Sequence, residues 1–181
     1  MLTKSRAGSA VTAEQRAARV RLMVLDVDGV LTDGRLYYGP QGEAMKVFDV
    51  RDGHGIKMLL RHGVEVALLS ARNSDIVSAR ARELGIARVL QGHGDKAAAF
   101  ATLLDDAGVA SDDSGFMGDD LPDLPPMRAA GFAATVVDGC NAAQAAAHWI
   151  SPQPGGRGAV RALAEFILHA KGIDIDAMVH G

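Results

Sequence analysis

Short apolar segments alternate along the chain with longer segments in which apolar residues recur every three or four positions. A strand covered on both faces is apolar at consecutive positions, whereas a helix with one buried face shows the wider spacing. Several helical segments end at a glycine, among them Gly63, Gly85 and Gly108. The predicted strands are 22–25, 64–69, 88–90, 115–118, 133–137 and 148–150.

The alternation of strands and helices predicts an α/β fold, a Rossmann-like parallel sheet with helices on both faces. Connections between parallel strands are right-handed, and ligands of such sheets bind in a crevice at the carboxyl ends of the strands. We therefore expect functional side chains directly after the strands.

Other segments depart from the alternation. Two β-capable segments around a Gly-Pro-Gln-Gly turn predict a projecting hairpin at about 35–48. The last helix is predicted over 159–171. We expect a single domain over 20–172, preceded by a frayed or weakly helical leader at 1–19 and followed by a tail at 173–181.

Composition narrows the class of protein. The chain has 181 residues, of which 48% are hydrophobic and 23% charged, which is typical of one soluble domain. The net charge of −3 argues against nucleic acid as a partner. The lone Cys140 has no partner for a disulfide, and no segment approaches the roughly 20 apolar residues of a membrane span. We expect a cytoplasmic protein with no membrane partner.

Asp26 and Asp28 directly follow the first predicted strand, and Gly29 allows the chain to turn sharply after them. Residues two apart on a strand point the same way, so both carboxylates can face one crevice. Such a pair needs a cation or a shared proton, and Mg²⁺ prefers hard oxygen ligands. The alternative is a solvated turn.

A second acidic segment, Gly-Asp-Asp-Leu-Pro-Asp at 118–123, follows another predicted strand. If that strand lies beside the first, Asp119 reaches the same crevice and completes a Mg²⁺ site that two aspartates only begin. The alternative is a helix N-terminus decorated with acids, which the helix dipole favours by itself.

Ser70 and Lys96 also follow predicted strands. A hydroxyl beside free backbone N–H groups can bind a phosphate. The positive charge of a lysine at a helix N-terminus is unfavourable with the helix dipole, so a lysine at this position suggests an anionic partner nearby. A helix-entry serine and an exposed lysine are the alternatives. Because Asp26, Ser70, Lys96 and Asp119 are separated by 44, 26 and 23 residues, they recur at successive strand ends.

The order Asp-x-Asp-Gly, Ser, Lys and Gly-Asp-Asp-x-x-Asp resembles the haloacid dehalogenase superfamily of phosphohydrolases. In a phosphorylatable receiver domain, an acidic pair precedes a separate acceptor Asp, and the hydroxyl and lysine come last. Over about 20–171 the chain resembles the superfamily's sugar-acid phosphatases. The segments that carry this closer resemblance are 25–34, 50–56, 91–92, 118–120 and 155–161.

The resemblance implies Mg²⁺-dependent hydrolysis of 3-deoxy-D-manno-octulosonate 8-phosphate through an aspartyl-phosphate, in lipopolysaccharide synthesis. Asp26 would be the nucleophile, and Asp28 the acid and then the base. Mg²⁺ would be held by Asp26, the carbonyl of Asp28 and Asp119. Ser70 and Lys96 would bind the phosphoryl group.

The gaps between these residues leave no room for a cap domain, so the enzyme is expected to be capless. The resemblance implies a homotetramer joined through the hairpins, in which a neighbouring subunit closes the site. Arg157, between glycines at 155–158, is expected to act as a flexible gate that binds substrate, and the alternative is a turn with a solvated arginine. Arg72 and Arg51 are further candidates for substrate binding.

Two other functions stay open at this point. One is a phosphatase of a nine-carbon sugar acid 9-phosphate, of the sialic or deaminated sialic type. The other is a phosphate-accepting signalling domain that does not turn over. The chain also departs from the family's usual residues, with Asp49 and Asp95 in place of Asn and Ala162 in place of Glu.

Overall fold

The computed structural model describes residues 11–175, and its centre is a six-stranded parallel sheet. The sheet order is β5-β4-β1-β6-β7-β8, and β2 pairs with β3 in a separate antiparallel hairpin. The strands are β1 Leu22–Leu25, β2 Tyr37–Gly39, β3 Gly42–Met45, β4 Glu65–Leu69, β5 Arg88–Leu90, β6 Ser114–Met117, β7 Phe132–Thr135 and β8 Trp149–Ile150.

Helices cover both faces of this sheet. They are α1 Ala13–Ala17, α2 Val50–Arg61, α3 Asp75–Leu84, α4 Lys96–Ala107, α5 Leu124–Ala129, α6 Asn141–Ala146 and α7 Ala159–Ala170. Within residues 11–175, every helix is too short or too polar to cross a membrane. The predicted α/β class and the parallel sheet with helices on both faces are confirmed.

Burial on both faces of the sheet explains why the central strand β1 is apolar at every position. Leu22 and Val24 pack into the cluster under α4 and α5, while Met23 and Leu25 pack into the cluster under α2 and α7. Successive side chains of a strand point to opposite faces, so a strand buried on both faces needs four apolar residues in a row. β4 and β6 flank β1 in parallel.

The parallel register places the carboxyl ends of these three strands side by side. Leu25 lies opposite Leu68 of β4 and Met117 of β6. The residues that follow, Asp26 and the loop beginning at Gly118, are therefore neighbours at one edge of the sheet. This is the edge at which the sequence predicted the crevice.

The described part of the leader contains the short helix α1. Thr12 and Gln15 form a reciprocal capping box at the start of α1, which satisfies two orphan N–H groups. Ala17 is fully buried, and the Arg16 guanidinium donates to the carbonyl of Gly131 at 2.9 Å. Of the two alternatives expected for the leader, frayed or weakly helical, the described part has the short helix α1; residues 1–10 and 176–181 lie outside the described part.

Candidate active site

A cleft of about 270 Å³ opens at the carboxyl ends of β1, β4 and β6. Four elements supply its lining: the loop after β1, the turn after β4, the first residue of α4 and the loop after β6. Six residues that the sequence singled out line it, namely Asp26, Asp28, Ser70, Arg72, Lys96 and Asp119. The separate strand ends therefore converge as predicted.

Three carboxylates form the floor of the cleft. Asp26, Asp119 and Asp123 each offer an oxygen, and these oxygens lie within 4.8 Å of one another. Gly29 has a φ of +91°, and a Cβ at this position would overlap the Asp119 carboxylate. A glycine is therefore required for the two acidic loops to meet, and the resulting set of hard oxygen donors suits a divalent cation such as Mg²⁺.

The charge of this cluster is not balanced by the protein alone. Burial and the nearby Asp123 raise the pKa of Asp26 to about 8, although Lys96 acts in the opposite direction. Burial, together with Asp123 and Asp120, likewise raises the pKa of Asp119 to about 7. A bound divalent cation would keep both carboxylates ionised near neutral pH, so the electrostatics and the donor set both fit a metal.

Lys96 is the cation that the protein itself contributes. Its side chain is 4% exposed, and its Nζ lies 2.9 Å from Asp26 Oδ1 and 2.6 Å from Asp123 Oδ1. Burial alone would lower the pKa of Lys96, but the charges of the two carboxylates raise it. The lysine is therefore charged at the N-terminus of α4. Its unfavourable interaction with the helix dipole is offset by the two carboxylates.

Sequence reasoning assigned no role to Asp123, which is central to the site. Its side chain is 1% exposed, and its Oδ2 accepts hydrogen bonds from the backbone N–H groups of Asp119 at 3.0 Å and Asp120 at 3.2 Å. It thus fixes the loop that carries Asp119 and, through its other oxygen, places Lys96. The signal available in the sequence was its position four residues after Asp119.

Ser70 lies in the turn after β4 and is buried, with its Oγ accepting from the Arg72 N–H at 3.1 Å. α3 begins at Asp75 with Ser74 as its N-cap residue, so a short turn separates Ser70 from the helix. Arg72 lies at the rim of the cleft: its guanidinium contacts the Tyr38 hydroxyl at 3.1 Å, and its Nε lies 3.9 Å from Asp28 Oδ2.

The other two predicted arginines are not among the residues that line the cleft. Arg51 forms an ion pair with Asp49 at 2.7 Å and donates to the carbonyl of Arg157 at 3.0 Å. Arg157 is exposed. The structure therefore brings six of the eight predicted residues together and leaves these two outside the cleft.

The glycines around Arg157 serve close packing, which differs from the flexibility expected of them. A Cβ on Gly155 would overlap the carbonyl oxygen of Gly29, so the glycine loop packs directly on the loop that follows Asp28. The Gly156 N–H donates to the carbonyl of Val30 at 2.9 Å. Because the backbone is held at these contacts, the glycines do not by themselves indicate a gate.

The two aspartates that replace the family's usual asparagines both cap helices. Asp49 accepts from the Arg51 N–H at the start of α2, and Asp95 accepts from the Ala98 N–H at the start of α4. Asn and Asp are comparable N-cap residues, so these replacements preserve the local structure. Asp52, in the first turn of α2, accepts hydrogen bonds from the backbone N–H groups of Gly158 and Arg161 and thereby caps α7.

Comparison with known proteins gives consistent relatives. No family model matches the chain. The 3-deoxy-D-manno-octulosonate 8-phosphate phosphatase of Yersinia pestis is 41% identical over 157 residues, covering 87% of this chain and 84% of that one. The corresponding phosphatase of Salmonella typhi is 40% identical with the same coverage.

Solved structures agree with these sequences. The Moraxella catarrhalis 3-deoxy-D-manno-octulosonate 8-phosphate phosphatase, in complex with a magnesium ion, a phosphate ion and KDO, matches with a TM-score of 0.88 and 39% identity. The match covers 92% of this chain and 95% of that one. The cobalt-bound phosphatase of Haemophilus influenzae matches with a TM-score of 0.86 and 40% identity, covering 87% and 92%.

Proposed function

Because the chain belongs to the 3-deoxy-D-manno-octulosonate 8-phosphate phosphatase family of the haloacid dehalogenase superfamily, we propose that it hydrolyses this sugar-acid phosphate to the free acid and phosphate. The observation that carries the proposal is the convergence of Asp26, Asp119, Asp123 and Lys96 in one cleft. The product would serve lipopolysaccharide synthesis. A chain with a single cysteine fits the proposed cytoplasmic location.

In the first half of the reaction, a carboxylate oxygen of Asp26 attacks phosphorus and the bond from phosphorus to the sugar oxygen breaks. Asp28 donates a proton to that oxygen, which leaves as an alcohol. Lys96 and Ser70 bind the phosphoryl oxygens: Lys96 neutralises part of their negative charge, and the Ser70 hydroxyl donates a hydrogen bond to them. Because both acids line the same cleft, Asp26 can reach the phosphorus while Asp28 reaches the leaving oxygen.

In the second half, a water attacks the aspartyl-phosphate and Asp28, now ionised, accepts its proton. The bond between phosphorus and Asp26 breaks, which releases phosphate and restores both carboxyl groups to their starting states. Mg²⁺, held by Asp26, the carbonyl of Asp28 and Asp119, would supply electrostatic stabilisation of the charge on the phosphoryl group. Asp123 is left to position Lys96 and the metal-binding loop.

The sugar end of the substrate requires a further anion-binding group. Arg72 is the arginine that lines the cleft, and its contact with Tyr38 places it between the hairpin and Asp28. We assign Arg72 the role of binding the sugar carboxylate. Arg51 and Arg157 would contact the substrate only if a neighbouring subunit or a substrate-induced change brought them closer to the cleft.

Phosphate release from a panel of sugar phosphates tests this function directly. With Mg²⁺ present, we expect continuous turnover of the eight-carbon 8-phosphate at a kcat/KM at least about tenfold above that of nine-carbon 9-phosphates. Neutral sugar phosphates, which lack the carboxylate, should react more slowly still. Preference for a nine-carbon acid would change the substrate, and a single stoichiometric phosphorylation without turnover would contradict the enzyme.

The hairpin and the residues next to it in the sequence carry several apolar side chains that the described residues leave exposed. Tyr38 is 63% exposed, Met45 51% and Val47 49%, and Leu36 and Val50 are exposed as well. Exposed apolar side chains concentrated on one projecting element are typical of contact surfaces between proteins. We propose that this surface joins four copies of the chain, and that a neighbouring subunit narrows the cleft in the absence of a cap domain.

Replacing Met45 with Glu tests this assembly. Light scattering should give a tetramer for the wild type and a smaller species for Met45→Glu, because each interface would bury an unpaired charge. The kcat/KM for the sugar phosphate should fall at least about tenfold as the cleft loses its cover. Val11→Glu, at an exposed apolar residue outside the hairpin, should leave both properties unchanged. A fully active monomeric wild type would contradict the model.

A further inference from the structure

The hairpin places a buried lysine against a side chain that lines the cleft of its own subunit. Lys46 directly follows β3, and its side chain is only 2% exposed. Its Nζ donates to Asp28 Oδ1 and lies 3.0 Å from Glu43 Oε1. Lysine is almost never this buried unless it is paired, so the two carboxylates explain its position. The phosphatase mechanism described above does not use this residue.

Glu43 ties the same contact to the body of the domain. Its Oε2 accepts a hydrogen bond from the Ser74 hydroxyl at 2.6 Å, and its Oε1 lies 3.7 Å from the Arg72 guanidinium. Ser74 is the residue before α3. The hairpin is therefore connected through Glu43 to the start of α3, and through Lys46 to Asp28.

The two carboxylate oxygens of Asp28 have different neighbours. Lys46 is shared between two carboxylates, so its single positive charge is partly balanced by Glu43. The hydrogen bond from Lys46 engages only Oδ1 of Asp28, whereas Oδ2 is the oxygen nearer Arg72 at the cleft rim. One oxygen is thus held by the hairpin and the other is available to the leaving group.

From this geometry we propose that Lys46 is a positioning residue for the acid step of the reaction. By holding Oδ1, it fixes the carboxyl group of Asp28 in the orientation from which Oδ2 delivers a proton to the leaving sugar oxygen. Glu43 holds Lys46 in turn, so placement of the hairpin and acid catalysis are coupled within one subunit. The proposal rests on the phosphatase function and on the role of Asp28 in it.

Dependence on the leaving group distinguishes a misplaced acid from general damage to the site. Phenolates with electron-withdrawing groups depart without a proton, whereas poorer leaving groups need one. For Lys46→Met, we expect kcat/KM to fall about 30-fold for phenyl phosphate and less than about threefold for p-nitrophenyl phosphate. These two esters have nearly the same shape, so a loss of binding would affect them alike.

Matched variants isolate the contact. Lys46→Arg keeps a donor and should recover most of the lost activity toward phenyl phosphate. Lys57→Met, which makes the same change on α2, should not alter the ratio of the two esters. In an Asp28→Asn background, Lys46→Met should cause no further change in that ratio, because the acid that it positions is absent.

The outcomes separate this proposal from the function beneath it. Equal losses for both esters, no loss for either, or a changed oligomeric state in Lys46→Met would overturn the positioning role while leaving the phosphatase intact. An additional change in the ratio when Lys46→Met is combined with Asp28→Asn would also overturn it. A wild-type chain that released no phosphate from any ester would instead remove the proposed function.

Discussion

Replacing Asp26 with Asn is expected to lower turnover of the sugar phosphate by at least about 10⁴-fold. The amide is a poor nucleophile toward phosphorus and cannot form the aspartyl-phosphate, while the cleft and Lys96 stay in place. The measurement is continuous phosphate release under saturating substrate with Mg²⁺. Trapping of radiolabelled phosphoenzyme in acid should succeed with the wild type and fail with Asp26→Asn.

The same substitution should not destabilise the metal-free protein. Burial and Asp123 raise the pKa of Asp26, so the ionised carboxylate is unfavourable in the folded chain and a neutral amide removes that cost. Asp112→Asn, at an aspartate whose side chain is 79% exposed, is the matched control and should keep full activity. Wild-type turnover in Asp26→Asn would refute the assignment of Asp26 as the nucleophile.

The edge of the sheet could be predicted from the sequence because the physics there is simple. A strand buried on both faces must be apolar at each position, and β1 is. Parallel strands also end at the same edge, so polar residues after β1, β4 and β6 must be close in space. The convergence of Asp26, Ser70 and Asp119 follows from these two constraints once β4 and β6 lie beside β1, a condition that the sequence left open and the strand order meets.

Contacts that depend on how elements dock could not be predicted in the same way. The sequence shows a hairpin, but only its angle to the sheet decides that Lys46 reaches Asp28. The order of α1 likewise depends on packing against α7, because five helical residues are marginal alone. The glycines at 155–158 were equally ambiguous, since freedom of motion and close approach both require a missing Cβ.

Metal removal should produce the second large effect. Chelation of divalent cations is expected to reduce turnover at least about 10³-fold, because the negative charge on Asp26, Asp119 and the phosphoryl group would then be left to Lys96 alone. Adding Mg²⁺ back should restore activity. The control is Ca²⁺, which should compete for the carboxylates but support less turnover because it prefers more ligands in a looser arrangement.

The stability of the metal-free protein should report the same site through its pH dependence. Unfolded aspartates ionise near pH 4, whereas the folded pKa values are about 8 for Asp26 and about 7 for Asp119. Between these limits the folded chain binds protons that the unfolded chain has released, so its free energy of unfolding falls as the pH rises toward 8, by up to about 1.4 kcal/mol per pH unit for each of the two aspartates. Mg²⁺ requires the ionised carboxylates and should therefore raise the Tm more at about pH 8 than at about pH 6. Thermal unfolding with and without Mg²⁺ measures both trends, and a Mg²⁺ effect that is larger at the lower pH would place the ion away from these two aspartates.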